Sequence, residues 1–254
     1  MTNKLNISLV SYWNTLPFLH GMRQNGLDRQ FRIQTDIPAK CAEKLISGQS
    51  DIGLVPVAAI PSIRNAQIIS DYCIGSFGPV GTVCLFSRKP LDELDTILLD
   101  YQSRTSVRLI EVLLRDYWTW KGQLSPAKEG YESEIKGTTG ALIIGDRAIE
   151  ALPHFEYVYD LGEAWTNWTS RPFVFAAWVA NKPVSLEVKT ALNEAFELGM
   201  DAIPQLAKNS NYPYPHFSLE RYYTEYISYN LDPAKQGALE LFLSKLGFAL
   251  PSFA

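Results

Sequence analysis

Short apolar runs separated by polar turns set the pattern of the first ninety residues. Ile7 to Val10 reads as a buried strand that empties into the polar turn Ser11–Thr15, and Leu16, Pro17 and Phe18 then begin a helix. Phe31 to Thr35 alternates as a second strand. Pro38 opens a helix over Ala39–Ser47, which Gly48 stops. Asp51 to Pro56 is a short buried strand, closed by a proline that cannot continue a ladder. Ala58–Ile63 reads as a short helix and Gln67–Ile74 as a strand entering a glycine-rich turn. Thr82–Phe86 follows as an apolar strand. This βαβαββ order predicts an α/β protein with a mainly parallel sheet covered by helices.

The second half repeats the pattern and then turns helical. Leu98 and Leu99 end a strand, and Asp100–Ser106 opens an amphipathic helix running to about Trp118. Lys121–Gly140 reads as surface connection with one edge strand. Ala141–Asp146 is a buried strand stopping on Gly145-Asp146, Tyr157–Leu161 a strand, Glu163–Trp168 a short helix and Phe173–Val179 a long apolar strand. Ser185 caps a helix to about Lys208, Ser218–Ser228 reads as a tyrosine-rich helix, and Asp232-Pro233 starts a final helix to Lys245. The strands Thr82–Phe86 and Phe173–Val179 both lead into a Lys-Pro pair, Lys89-Pro90 and Lys182-Pro183. Read as crossovers, these divide the chain into one lobe of residues 1–88 plus 181–254 and a second of residues 89–180, with a hinged ligand cleft between them.

Composition narrows the partners. A chain of 254 residues can bury a real core as one domain or two. A net charge of −4 without a basic cluster argues against nucleic acid as a partner, yet single arginines and helix ends can still hold a small anion. No apolar run approaches the ~20 residues of a membrane span, and the opening Met1–Asn6 lacks the apolar core of an export signal, so a cytoplasmic location is expected. Cys41, Cys73 and Cys84 are widely spaced in apolar surroundings and read as buried thiols. His20, His154 and His216 form no metal-ligand spacing, and no metal or cofactor is expected.

Four turns at strand ends carry the candidate chemistry. The first holds Ser11, Tyr12 and Asn14, the second Ser76, Gly78 and Thr82. The third, Ser103, Arg104, Thr105 and Ser106, puts three hydroxyls and a guanidinium at a helix start, which suits a carboxylate or phosphate. The fourth is Gly145-Asp146, just past a buried strand. Each also reads as an ordinary capped turn, and Asn14 and Asp146 are good helix caps. Trp165, Trp168, Phe173 and Trp178 read as core. There is no glycine-rich nucleotide fingerprint and no Gly-x-Ser-x-Gly elbow. A sensor, a binding protein and an enzyme all remain open on these grounds.

Several of these segments resemble one family in its own order. Ser11-Tyr-Trp-Asn-Thr-Leu-Pro17 resembles an opening "S-Y/F-L-N-T/C-x-P" motif, and Gly48-Gln-Ser-Asp-Ile-Gly-Leu-Val-Pro56 resembles "G-E-x-D-I-G-L-V-P". Ser103–Ser106, Leu142-Ile-Ile-Gly-Asp146, Asp160-Leu-Gly-Glu-Ala-Trp165 and Pro172-Phe-Val-Phe-Ala176 follow. The family is the chorismate dehydratases of the futalosine route to menaquinone, and the resemblance covers about residues 5–180. It implies the two-lobed fold of type II periplasmic binding proteins. It also implies a carbon–oxygen lyase that converts chorismate to 3-[(1-carboxyvinyl)oxy]benzoate and water. Under it, Asn14 would hold the leaving hydroxyl or orient the enolpyruvyl group, with Asp146 as the protein alternative for the base. Ser103–Ser106 would take one carboxylate, and the Gly78–Thr82 and opening turns the other carboxylate and the hydroxyl. The chain departs from the family at Thr169-Ser-Arg-Pro172, where Thr-Gly-Leu-Pro is usual, and at Thr82, where serine is frequent. The alternatives are a non-catalytic cytoplasmic receptor for a small aromatic or carboxylate ligand, and the related dihydroxynaphthoate synthase, whose Cys-Pro-Asn-Asp opening is absent. Oligomeric state is left open.

Overall fold

The computed structural model describes residues 4–209, 211–249 and 252–253. Met1 to Asn3, on which the reading of the N-terminus partly rests, and residues 210, 250, 251 and 254 of the expected first lobe lie outside the described residues.

The strands form two sheets. In the first, β1 (Asn6–Val10) lies between β2 (Arg32–Asp36) and β3 (Ile52–Pro56), all parallel. In the second, β5 (Val83–Ser87), β6 (Thr96–Leu99), β7 (Gln123–Pro126), β8 (Thr139–Ile144) and β9 (Tyr157–Asp160) run in the order β7-β6-β8-β5-β9. The first sheet is completed by β4 (Gln67–Ser76), β10 (Phe173–Ala180), β11 (Ser228–Asn230) and the short β12 (Ser252–Phe253). Its order is β11-β4-β10-β3-β1-β2, with β12 against β4.

Each sheet contains one antiparallel strand that has come over from the other. β10 pairs antiparallel with β3 and β4, and β5 with β8 and β9. The expected lobe boundaries are corrected by this pairing. The register opens at Val83↔Ile144 on one side and Phe173↔Ser76 on the other, so both strands have already crossed before they begin. The crossings therefore lie at residues 77–82 and 170–172, and Lys89-Pro90 and Lys182-Pro183 only follow the ends of the transferred strands. An apolar run reveals that a strand is buried, not which sheet buries it.

Two helix expectations also change. The long helix from Ser185 divides into Leu186–Asp201 and Ile203–Asn209, because Pro204 has no N–H and its ring clashes with a preceding carbonyl. The tyrosine-rich helix is a single turn, Leu219–Arg221, that widens into a π-helical turn, Tyr222–Tyr226. Ser228 to Asn230 then leaves it as edge strand β11 against β4.

The core centres on β1 and β10. Ile7 and Leu9 are fully buried, and all eight residues of β10 are buried on both faces. Phe18, Trp178 and Phe196 pack together, with Trp178 stacked on Phe196 at 4.6 Å. Burying a side chain such as Phe18 contributes about 2–3 kcal/mol. The helix Leu16–Gln24 meets Leu186–Asp201 backbone to backbone. A Cβ at Gly21 would fall 1.8 Å from the Ala195 carbonyl oxygen, and one at Gly199 2.0 Å from that of Pro17. The C-terminal helices thus clamp the helix that follows the opening turn. Trp165 and Phe173 are core as expected, and Cys41, Cys73 and Cys84 are buried and unpaired. Among the described residues, no helix is long and apolar enough to cross a membrane.

Candidate active site

The two sheets present the C-terminal ends of their parallel strands to one another. Between them lies a cavity with ≈ 540 Å³ of free space including its open mouth. Val10, Pro56 and Ile144, the last residues of β1, β3 and β8, line it, as ligand sites in open α/β sheets do. Tyr12, Asn14, Thr82, Ser103, Thr105, Ser106 and Gly145 also line it, so seven of the twelve candidate residues meet there.

The opening turn is held from every side. Thr15 Oγ1 lies 2.5 Å from the Val10 carbonyl oxygen and 2.8 Å from that of Tyr12. Tyr223 Oη donates to the Trp13 carbonyl at 3.0 Å, and Tyr229 Oη to the Asn14 carbonyl at 2.9 Å. The Trp13 N–H donates to Asp146 Oδ1 at 3.3 Å, and Tyr12 Oη to Gln102 Oε1 at 2.6 Å, so two further bonds reach the second sheet. With its backbone fixed, Asn14 lines the cavity, and its Oδ1 is buried without a hydrogen-bond partner. An orphaned buried acceptor costs about 1–3 kcal/mol.

The Ser103 turn is anchored beneath by Asp100. This buried carboxylate accepts from Tyr131 Oη at 2.7 Å, the Gln102 N–H at 2.7 Å, the Ile144 N–H at 3.2 Å and Arg147 Nη2 at 2.5 Å. Burial raises the Asp100 pKa, and Arg147 and these donors hold it back. Above it, Ser103 Oγ accepts from the Ser106 N–H at 3.0 Å, in the first turn of the helix Thr105–Asp116. Thr105 Oγ1 accepts from the Ala58 N–H at 3.2 Å, which ties this turn to the first sheet. The hydroxyls of Ser103, Thr105 and Ser106 share a wall of the cavity at a helix N-terminus, where a negative charge is favoured.

The glycine turn differs from expectation. The N–H groups of Val80 and Gly81 donate to Asp160 at 2.7–3.1 Å, and that of Gly78 to Thr166 Oγ1 at 2.9 Å. The same Asp160 caps the helix Leu161–Thr169 through the N–H groups of Gly162 and Glu163. These three backbone donors already have protein acceptors, so a ligand carboxylate finds none of them free. Ser76 is fully buried and donates to the Gly78 carbonyl at 3.2 Å, so neither residue lines the cavity. The turn contributes Thr82, whose Oγ1 is 2.9 Å from Tyr222 Oη.

Three other candidates stand apart. Ser11 is exposed, and only its backbone is engaged, donating to the Asp36 carbonyl. Arg104 turns outward toward Glu43 at 3.9 Å, which removes the expected guanidinium from the cavity. Asp146 holds the Trp13 N–H from outside the lining, and burial raises its pKa to about 6, with that bond as the opposing influence. Gly145 fits because it lacks a Cβ: its φ of 64° and ψ of −147° suit glycine alone, and a Cβ would lie 2.6 Å from the Tyr12 ring. Among the described residues lining the cavity there is no aspartate, glutamate, histidine, lysine or arginine.

The family described as menaquinone biosynthesis matches residues 5–247. The chain belongs to that family. A chorismate dehydratase of Thermus thermophilus is 28% identical over 264 residues, covering 95% of this chain and 94% of the relative. Among solved structures, protein AF1704 from Archaeoglobus fulgidus superposes with a TM-score of 0.72 at 12% identity, covering 97% of each chain. The periplasmic aliphatic sulphonate binding protein SsuA from Escherichia coli gives a TM-score of 0.57 at 15% identity, covering 99% of this chain and 96% of its own. The Candida albicans CA3427 product, described as having the generic periplasmic binding protein fold, gives 0.56 at 11% identity, with 99% and 97% covered. At these identities the likeness is one of fold, and it is the periplasmic-binding-protein fold expected from the sequence.

This member of the menaquinone biosynthesis family builds its site with residues that motif reading passed over. Gln102, Asp100, Tyr131 and Arg147 support one wall, and Tyr222, Tyr223 and Tyr229 support the other. The tyrosine-rich stretch was visible in sequence, but nothing local indicates that its hydroxyls reach a turn more than 200 positions away. Asp160 before Leu-Gly-Glu is legible as a helix cap, whereas its hold on Val80 and Gly81 is not.

Proposed function

We propose that this chain dehydrates chorismate, acting as a carbon–oxygen lyase that forms 3-[(1-carboxyvinyl)oxy]benzoate and water in menaquinone biosynthesis. Family membership and the dehydratase relative support the substrate. The observation that carries the reaction is Asn14 in the lining of a cavity walled by hydroxyls that, among the described residues, holds no acidic or basic side chain.

Such a wall suits a substrate that needs positioning more than proton transfer to the protein. Asn14 does not titrate, so it can only donate or accept hydrogen bonds. Its amide holds the C4 hydroxyl by a hydrogen bond, and Thr82 donates to the oxygen of that hydroxyl. The hydroxyls of Ser103, Thr105 and Ser106 receive the ring carboxylate at the helix N-terminus. The substrate's own enolpyruvyl carboxylate takes the C3 proton. The C3–H electron pair becomes the C3=C4 bond, the C4–O bond breaks, and the departing hydroxide takes that proton from the enolpyruvyl carboxyl and leaves as water. Aromatisation of the ring supplies the driving force, so holding the carboxylate over C3 is the protein's main contribution. Asp146, bonded to the opening turn, acts here as a support and not as the base.

Incubating purified protein with chorismate and following the aromatic product by absorbance and chromatography tests the reading. Product formation supports it. Chorismate binding without aromatisation would favour a receptor, and chorismate neither bound nor changed would favour a different step of the same biosynthesis.

A further inference from the structure

The parallel strands β1, β2 and β3 each lead into a helical segment: Trp13–Thr15, Pro38–Ile46 and Val57–Ser62. A helix start leaves backbone N–H groups without a partner inside the helix, and a serine, threonine, aspartate or asparagine side chain commonly serves them. The chain follows that custom elsewhere. Ser185 caps Leu186–Asp201, and Asp232 caps Pro233–Lys245, each through a side-chain oxygen. The three segments after β1, β2 and β3 begin instead on Tyr12, Ile37 and Pro56, none of which makes a side-chain cap bond.

Their partners come from the other sheet. The N–H of Trp13, first residue of its segment, donates to Asp146 Oδ1 at 3.3 Å. The N–H of Ala39, second in its helix, donates to the Gln102 carbonyl at 3.1 Å. The N–H of Ala58, second in its segment, donates to Thr105 Oγ1 at 3.2 Å. Gln102 and Thr105 follow β6, and Asp146 follows β8, so all three acceptors belong to the second lobe. A movement that separates the sheets breaks all three bonds together.

We propose that these bonds form a latch between the lobes, in which the second lobe caps the helix starts of the first and thereby favours the closed cleft. A local cap would serve the N–H groups equally in the open and closed forms and would favour neither. With Tyr12, Ile37 and Pro56 at the cap positions, the service is available only when the lobes meet. Water serves the same groups when they part, so each bond contributes its net value, about five-fold in the ratio of closed to open forms. Three such bonds give on the order of 100-fold. The chain itself thus provides part of the closing free energy, and a ligand has less of it to supply.

Amide hydrogen exchange followed by NMR, in protein without added ligand, tests the latch independently of the chorismate reading. Asp146→Ala removes the partner of the Trp13 N–H. Ala39 and Ala58 keep their own bonds in this variant, yet the latch predicts exchange about five-fold faster at both, because the three amides open in one event. Asp146→Asn keeps an acceptor and should leave all three amides near the wild-type rates. Unchanged exchange at Ala39 and Ala58 in Asp146→Ala would overturn the proposal, since the three bonds would then be separate contacts. Equal acceleration at Trp178, in the buried strand β10, would overturn it as well, since the whole fold would then have loosened. Should Asp146→Ala fail to fold, Thr105→Val removes the partner of the Ala58 N–H and predicts the same acceleration at Trp13 and Ala39, with the same results overturning it.

Discussion

Tyr12 Oη donates to Gln102 Oε1 at 2.6 Å and so joins the opening turn of the first sheet to the Asp100–Ser103 turn of the second. The ring that carries this hydroxyl rests on Gly145, at the end of β8. One side chain thus spans the cavity and touches both walls. Tyr12→Phe should keep the packing and lose the bond. A bond made on closing contributes about 1 kcal/mol, so substrate Kd should rise about five-fold with little change in unfolding midpoint. Titration calorimetry would measure it, and an unchanged Kd would count against a closing role.

Gly145→Ala combines two faults. The backbone sits at φ 64° and ψ −147°, and the new Cβ would lie 2.6 Å from the Tyr12 ring. We expect a loss of about 3 kcal/mol in denaturant unfolding, with activity falling at least in step because Tyr12 must move. A variant with native stability would show that the ring can be displaced cheaply.

Asp146 gives a pH signature. Burial raises its folded pKa to about 6 from 3.8, so the protonated form is the one that folding favours. Its contribution to stability is complete below about pH 4 and disappears as pH rises through 6, a change of up to about 3 kcal/mol. Asp146→Asn keeps an acceptor for the Trp13 N–H and removes the titration. Its stability should vary less between pH 4 and 7, and it should be at least as stable as the wild type at pH 8. Turnover should stay within a few-fold. If turnover vanished while folding and binding survived, Asp146 would be the base after all.

Asp160 joins the glycine crossover to the helix Leu161–Thr169 through four backbone N–H groups. Asp160→Ala removes a helix cap and leaves the Val80 and Gly81 donors unpaired. A cost of about 3 kcal/mol is expected, read as a drop in Tm. A drop within a degree or two would mean that water replaces the carboxylate.

Strand ends are legible in the sequence where local chemistry decides. Val10 into Asn14, Ser103 into Ser106 and Ile144 into Gly145 were identifiable because apolar runs ending in small polar residues mark strand ends, and all three line one cavity. Legibility stops where partners are distant. Arg104 looked like an anion ligand because it sits among serines, but Glu43 draws it outward. The Gly78–Thr82 backbone looked like an anion cradle because its glycines permit close approach, and a buried aspartate from the second sheet occupies that place. The assignment of β5 and β10 to their sheets failed for the same reason, since pairing is a long-range property that a fully apolar strand does not encode. The π-helical turn at Tyr222 leaves no periodic trace, so the support it gives Thr82 was out of reach.

The central claim is that Asn14 handles the departing hydroxyl in a chorismate dehydration. Its most direct measurement compares chorismate turnover by the wild-type protein and by Asn14→Ala, following 3-[(1-carboxyvinyl)oxy]benzoate over time. The account predicts product from the wild type and a kcat lower by roughly 100-fold or more in Asn14→Ala, about 3 kcal/mol of lost transition-state stabilisation. Turnover by Asn14→Ala near the wild-type rate would contradict it.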